Sequence, residues 1–380
     1  MIGMHGDKEI SAALKEDIRR WGRELGFDAI GFSGIRVDGA EENLNAWLAA
    51  GFHGEMDYMA AYASTEGNKR AQPALLIPGT RSIITARINY RPTIRSGEES
   101  VLCSTALLRR GSTSAEFLSA VDGERAVISR YALGRDYHKL LRARLQKLAD
   151  RITAEIGAFA YRVFTDSAPV MEVGLAQNSG LGWRGKHTLL LDREAGSYFF
   201  LGEIFTDLPL APDTPVTDHC GTCTACIDAC PTQAIVAPYQ VDARLCISYL
   251  TIELKGDIPE ALRPLMGNRI YGCDDCQLAC PWNRFAPLTR ESDFAPRHGL
   301  DRATLVELFS WEENEFNEKL AGSPIRRIGH ERWLRNIAVT LGNAPSSDEV
   351  IGALRSRADH PSELVREHVA WALACHAAKD

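Results

Sequence analysis

The chain has 380 residues, is 45% apolar and carries a formal net charge of −7, with 50 acidic against 43 Lys and Arg side chains. That length buries a sizeable core and divides into two or three domains. The acidic balance excludes a global electrostatic grip on nucleic acid, so any such contact must be local. No run approaches membrane-spanning length, and the polar start (Met1, His5, Asp7, Lys8, Glu9) lacks the apolar core of a signal peptide, so a cytoplasmic protein without membrane attachment is expected.

Ile10, Leu14, Ile18, Trp21 and Leu25 recur at helical spacing and predict an amphipathic helix closed near Gly26. A short buried strand follows over 28–32, then a helix carrying Leu44, Trp47 and Leu48. Residues 51–59 are rich in glycine and aromatics, Lys69–Arg70 and Pro73 precede a turn at Pro78–Gly79, and 81–86 read as the next strand. Between 93 and 123 the chain is polar and aperiodic, which suits either a mobile loop or lid or a disordered insertion. Leu140, Leu141, Leu145, Leu148 and Ile152 mark a strong helix with Asp136 placed to cap it. The strand over 161–165 ends at Asp166, a position where a carboxylate serves chemistry or simply a turn. Gly180–Leu181–Gly182–Trp183 with Gly185–Lys186–His187 allows close backbone approach to a large ligand but has no Rossmann or P-loop spacing. Residues 188–191 and 197–205 are expected to form a hairpin, and Pro209, Pro212 and Pro215 mark a linker.

Beyond it, Cys220, Cys223, Cys226 and Cys230–Pro231 follow the C-x2-C-x2-C-x3-C-P pattern of bacterial ferredoxins. Cys273, Cys276 and Cys280–Pro281 form a shorter second run, and Cys246 between them is the eighth thiol. Two 4Fe-4S clusters need eight thiolates. If the cysteine before each proline crosses over, Cys220, Cys223, Cys226 and Cys280 hold one cluster, and Cys230, Cys246, Cys273 and Cys276 the other. A zinc site closes with four ligands and fits eight cysteines poorly; a disulfide framework does not suit a long chain that is cysteine-poor elsewhere. Cys103 and Cys375 read as ordinary thiols. After Pro281 come helices: one capped by Asp301 and bearing Leu305, Leu308 and Phe309, then segments with Trp333, Ile337 and Leu341, with Val350 and Leu354, and with Val365, Val369 and Ala372. These suggest one HEAT-like unit. Arg326, Arg327, Arg332 and Arg335 make the stretch locally basic, as a solvated face or a phosphate-contacting one.

Gly54–Glu55–Met56–Asp57–Tyr58–Met59, Lys69–Arg70 with Pro73, Gly134–Arg135–Asp136–Tyr137–His138, Asp166–Ser167–Ala168–Pro169 with Glu172, the Gly180–His187 turn, both cysteine runs and the surroundings of Cys246 together resemble the epoxyqueuosine reductases over nearly the whole length. The resemblance implies an α+β protein: an N-terminal α/β cobalamin-binding catalytic domain over 1–208, a two-cluster ferredoxin-like domain over 209–296 and a HEAT-like helical domain over 297–380. It implies reduction of epoxyqueuosine at the wobble position of a tRNA, with two 4Fe-4S clusters and cobalamin as cofactors and an external low-potential electron donor. It also implies a monomer. By position, Asp166 matches the family's proton donor, and Arg70, Ser129, Lys186, His187 and the stretch from Ser197 to Leu201 fall where the family lines its cobalamin pocket. A carboxylic acid at Asp166, its pKa raised by burial, would protonate the departing epoxide oxygen. Phosphate contacts are expected from Arg142, Arg144, the Arg326–Arg335 stretch, Arg263 and Arg284. The rivals are a small-molecule reductase related to the reductive dehalogenases and a ferredoxin-type electron carrier without a corrin.

Overall fold

The computed structural model describes residues 3–93 and 123–378, with side chains from residue 12. The expected lid at 93–123 and Cys103 therefore lie, but for its end residues, outside the described residues. The chain divides into two compact units, each assembled from three segments: residues 1–91, 137–223 and 285–291 in the first, and 92–136, 224–284 and 292–380 in the second.

The first unit is built on a four-stranded sheet. Its strands are β1 (Ala29–Ser33), β2 (Ser82–Asn89), β3 (Tyr161–Phe164) and β4 (Phe199–Thr206), in the order β1-β2-β4-β3. Every neighbouring pair is antiparallel. The alternation of helices and strands along the chain thus does not produce the parallel sheet of an α/β domain, because strands that follow one another through long connections here return alongside in opposite directions. One face of the sheet carries Ile84, Ala86, Ile88, Ile204 and Gly202, all in register across β2 and β4. It lies under helices α1 (Gly3–Glu24) and α2 (Tyr137–Ile156). In α2, Leu141, Leu145, Leu148 and Ile152 are fully buried at the spacing the sequence showed, each contributing roughly 1.5–3 kcal/mol. Gly202 permits the close packing: a Cβ there would stand 2.7 Å from Leu145 Cδ1.

The opposite face carries Ile83, Thr85, Arg87 and Asn89 of β2 facing Phe205, Glu203, Leu201 and Phe199 of β4. Apolar residues at its ends pack with helix α3 (Glu172–Asn178) and with Leu181, Leu190 and Ala195. The expected hairpin between 188–191 and 197–205 does not form. Leu190–Leu191 pairs instead with Trp183–Arg184, while β4, apolar but for Glu203 and Thr206, is buried between β2 and β3. Only the Asp192↔Gly196 bridge closes the loop between them.

In the second unit the strand Arg269–Tyr271 runs parallel to Val127–Ile128. Its core gathers Leu133, Tyr271, Leu305, Leu308, Trp311, Trp333 and Ile337. Helices α4 (Gly329–Asn343), α5 (Asp348–Ser356) and α6 (Glu363–Ala377) complete it. Here the helix Leu305–Ser310 is capped by Thr304, whose hydroxyl accepts from the Glu307 N–H at 3.1 Å. Asp301 stands three residues too early for that bond, so the expected cap moves to Thr304. Among the described residues no helix is long and apolar enough to cross a membrane.

Candidate functional site

Asp166 follows β3 and has a left-handed backbone, φ 38°, a conformation costing a non-glycine residue on the order of 1 kcal/mol or more. Its neighbours hold it there. Tyr137 donates its hydroxyl to Asp166 Oδ2, His138 Nε2 lies 3.2 Å from the same oxygen, and the Asp166 N–H donates to Glu172 Oε1 at 2.6 Å. The Tyr137 ring is stacked between Phe200, at 3.8 Å, and His138, at 4.3 Å. The Asp166 side chain keeps 49% of its surface, so the burial expected of it is found one step behind, at Glu203, which is wholly buried. Burial, then the Asp166 charge, raises the Glu172 pKa to about 8. Burial and the Glu172 charge raise Glu203 well above the ordinary carboxylate range.

The same unit holds several buried polar atoms without hydrogen-bond partners among the described residues: Thr85 Oγ1, Arg87 Nε, Asn89 Oδ1, Asn68 Nδ2, Arg70 Nε and His187 Nε2. The first three lie on the sheet face that carries Glu203. Each unpaired buried group costs about 1–3 kcal/mol. A fold tolerates several when a polar ligand satisfies them. The period-two alternation Thr85, Arg87, Asn89 within β2 was the available signal for these residues.

The expected pocket residues fall as follows. Arg70 is buried, donates from its side chain to the Tyr58 carbonyl at 3.1 Å and stands over the Tyr62 ring. His187 is buried and accepts the Leu189 N–H at Nδ1, 3.2 Å, so its proton sits on Nε2; burial holds its pKa down at about 4. Ser197 is buried, and Leu201 packs beside Phe199 on the polar face. Lys186 instead donates to the Gly221 and Cys223 carbonyls at 2.7 and 2.9 Å, closing the loop that carries Cys220 and Cys223. The Cys220 thiol lies against the Lys186 backbone N–H and the Trp183 indole, with burial raising its pKa. Ser129 belongs to the second unit, where it is buried and donates to Asp274 beside Cys273.

That second unit gathers thiols. Cys230 acts electrostatically on Cys246 and Cys276, and Cys246 acts on Cys273 and Cys276, which brings together the four cysteines grouped by spacing. Burial raises the Cys246, Cys273 and Cys276 pKa values. Cys226 and Cys280 are also buried. Backbone donors already face the sulfurs: Ala234 N–H to Cys230 at 3.2 Å, and the Ser248 and Tyr249 N–H groups to Cys246. Buried Arg269 donates to both Asp275 oxygens, at 3.1 and 2.7 Å, and to the Cys273 sulfur.

Helix α4 fixes these cysteine-bearing segments. Asn336 donates to the Thr251 and Ile270 carbonyls, both at 2.9 Å, and Arg335 to the carbonyls of Leu250, Leu254 and Gly256 at 2.7–2.8 Å. The Thr251 hydroxyl accepts the Gly272 N–H, next to Cys273. Arg335 is fully buried, and Arg263, 2% exposed, pairs with Glu367; neither is available to a phosphate, which corrects their place in the basic stripe. Arg144 pairs with Glu291, whereas Arg142, Arg326 and Arg327 are exposed. A cluster of Asp257, Glu367 and His368 resembles a cation site, but His368 accepts the Ile258 N–H at Nε2 and donates to the Leu364 carbonyl from Nδ1, leaving no lone pair for a metal.

Residues 219–283 match the family of 4Fe-4S double cluster binding domains, and residues 70–167 match the family described as epoxyqueuosine reductase QueG, DUF1730. The epoxyqueuosine reductase of Burkholderia pseudomallei is 58% identical over 95% of this chain and 92% of its own. The chain belongs to the epoxyqueuosine reductase family. The Pseudomonas aeruginosa member is 56% identical, covering 96% of this chain and 95% of its own, and the Escherichia coli member 53%, covering 95% and 89%. A crystal structure of epoxyqueuosine reductase with a tRNA-Tyr epoxyqueuosine-modified stem loop superposes with a TM-score of 0.82 at 28% identity, over 96% of this chain and 91% of that one. Membership makes the chain an oxidoreductase, and a ferredoxin-type carrier without its own reaction is set aside.

Proposed function

We propose that this enzyme reduces epoxyqueuosine to queuosine at the wobble position of a cytoplasmic tRNA, as a monomer fed by an external low-potential electron donor. We assign two 4Fe-4S clusters to it, one on Cys220, Cys223, Cys226 and Cys280 and one on Cys230, Cys246, Cys273 and Cys276, and cobalamin to the 1–208 domain. The 209–296 stretch is then the cluster domain, and 297–380 a HEAT-like support. When bound, the clusters and the corrin supply single electrons at low potential, chemistry that no amino-acid side chain offers.

The fit of cobalamin rests on the chemistry of the donor set. Arg70, Asn68 and His187 offer buried donors and Thr85 and Asn89 buried acceptors, a mixture suited to a ligand rimmed with amides and poorly suited to a purely anionic one. Arg70, His187, Ser197 and Leu201 are assigned to that ligand, with Lys186 holding the adjoining cysteine loop and Ser129 steadying the Cys273 loop through Asp274. For the tRNA backbone we assign the exposed Arg142, Arg326 and Arg327.

The observation that carries the reading is the Asp166 carboxylate, gripped by Tyr137 and His138 in a strained backbone yet half open to a substrate. An acid so held protonates the oxygen as its bond to carbon breaks. Protein purified without oxygen, reconstituted with iron, sulfide and cob(II)alamin and given epoxyqueuosine tRNA should turn over, and Asp166→Asn should lose about 10²–10⁴ in rate with iron and corrin content unchanged. Undiminished turnover in that variant would end the assignment.

A further inference from the structure

Converting an epoxide to an alkene breaks two C–O bonds, takes up two electrons from the reductant and consumes two protons, the oxygen leaving as water. Asp166 carries one proton at most. A second must come from nearby if the reaction is not to wait for solvent.

Glu203 stands where that proton would be kept. It is wholly buried, the Glu172 carboxyl is the side chain within hydrogen-bonding reach of it, and it pairs across the sheet with Phe164, two residues before Asp166. Thr85 faces it from β2, Glu172 from α3, and Tyr137 and His138 of α2 close on Asp166 from the other side. Among these groups no Lys or Arg is paired with Glu203. An ionised carboxylate there would be unpaired in a dry place, which costs several kcal/mol, so the group keeps its proton. Glu172 is held next to Asp166 by the Asp166 backbone N–H, which its carboxyl accepts at 2.6 Å, and the Asp166 charge acts on both glutamates; the proton itself would move between the carboxyl oxygens, not through the amide.

We propose that Glu203, acting through Glu172, stores the second proton of the reaction and returns it to Asp166. Asp166 gives its proton to the oxygen at the first C–O cleavage and becomes a carboxylate. The Glu172–Glu203 pair then passes one proton to it, and Asp166 delivers that proton as water departs. Solvent refills the pair after product release. Glu203 touches no substrate; it is a positioning residue for a proton, acting on Asp166 alone. The two glutamates titrate as one unit: burial and the neighbouring Asp166 charge raise Glu172 to about 8, and burial with the Glu172 charge holds Glu203 well above the ordinary carboxylate range.

The inference rests on the proposed epoxide reduction, and its test has one arm independent of that reaction. Infrared spectra of the reconstituted protein at neutral pH should contain the carbonyl stretch of a protonated, dry carboxylic acid, absent from Glu203→Gln. In turnover, wild-type kcat should fall as pH rises through about 8; in Glu203→Gln this limb should move to lower pH and kcat at pH 8 should drop about 10²-fold with KM unchanged. Glu203→Asp should restore part of the loss. Should Glu203→Gln fail to fold by circular dichroism, Glu172→Gln, at a partly exposed position, is measured the same way. A carboxylic-acid band that persists in the Gln variant, or an unmoved pH profile, overturns the proposal. A band lost on mutation in a protein inactive on epoxyqueuosine tRNA would instead refute the proposed function and leave the stored proton standing.

Discussion

Asn336 is far in sequence from every cysteine, yet its replacement should cost the enzyme one cluster. Leucine is nearly isosteric and removes both amide donors, leaving the Thr251 and Ile270 carbonyls unpaired in the core of the second unit. It also takes the Oδ1 acceptor from Arg335, now bonded at 3.0 and 2.8 Å. At about 1–3 kcal/mol for each stranded group, Asn336→Leu should lose roughly 2–5 kcal/mol, set against about 1 kcal/mol regained from the apolar side chain. For a unit of this size that is a melting shift of several degrees. The freed segments carry Cys246 at one end and Cys273 at the other, so the four-thiol site loosens first. Iron and sulfide analysis after anaerobic reconstitution should give about four irons in place of about eight, with one of two electron paramagnetic resonance signals gone. Full iron content with a lowered melting point would refute the link between α4 and the cluster.

Arg269→Gln removes a buried positive donor from the Cys273 sulfur, which should lower the midpoint potential of that cluster in a redox titration, with Arg269→Lys intermediate; an unmoved potential would show that the guanidinium serves Asp275 alone. His187, held down at about 4 against an ordinary 6.5, binds its proton more readily when the chain unfolds, so stability is lost as pH falls below about 6.5, by about 2 kcal/mol at pH 5. Denaturant midpoints at pH 7 and 5 should show that loss shrinking in His187→Gln. Arg142→Ala and Arg326→Ala should weaken tRNA binding most at low salt and reduce the salt slope by about one each, whereas the slope should stay unchanged in Arg263→Lys.

The cysteine runs were legible because a cluster dictates ligand spacing locally, whereas Asp166 stood out only through the family resemblance, its place at a strand end suiting a turn as well as chemistry. Glu203 was not legible. It sits in an apolar run, Phe199–Phe200–Leu201–Gly202–Glu203–Ile204–Phe205, which reads as core strand, and only the register with β2 and β3 turns it toward Glu172 and Asp166. Arg335 was misread for the related reason that its partners are carbonyls some eighty residues away, invisible to a pattern that sees only a basic stretch. The hairpin failed likewise: two apolar runs joined by a turn are compatible with pairing, but β4 finds longer partners in β2 and β3, with eight and four residue pairs.

The dependence of the Cys246 and Cys273 segments on α4 bears on how the protein is made. Asn336 and Arg335 leave the ribosome on the order of sixty residues after Cys280, the last cysteine of the two runs, several seconds at about 5–20 residues per second. Through that interval the thiols are synthesised but their frame is missing. A chain cut short near residue 300 should therefore hold iron less well at Cys246 and Cys273 than the full chain does, because the side chains that bind the Leu250, Thr251 and Ile270 carbonyls are missing from it.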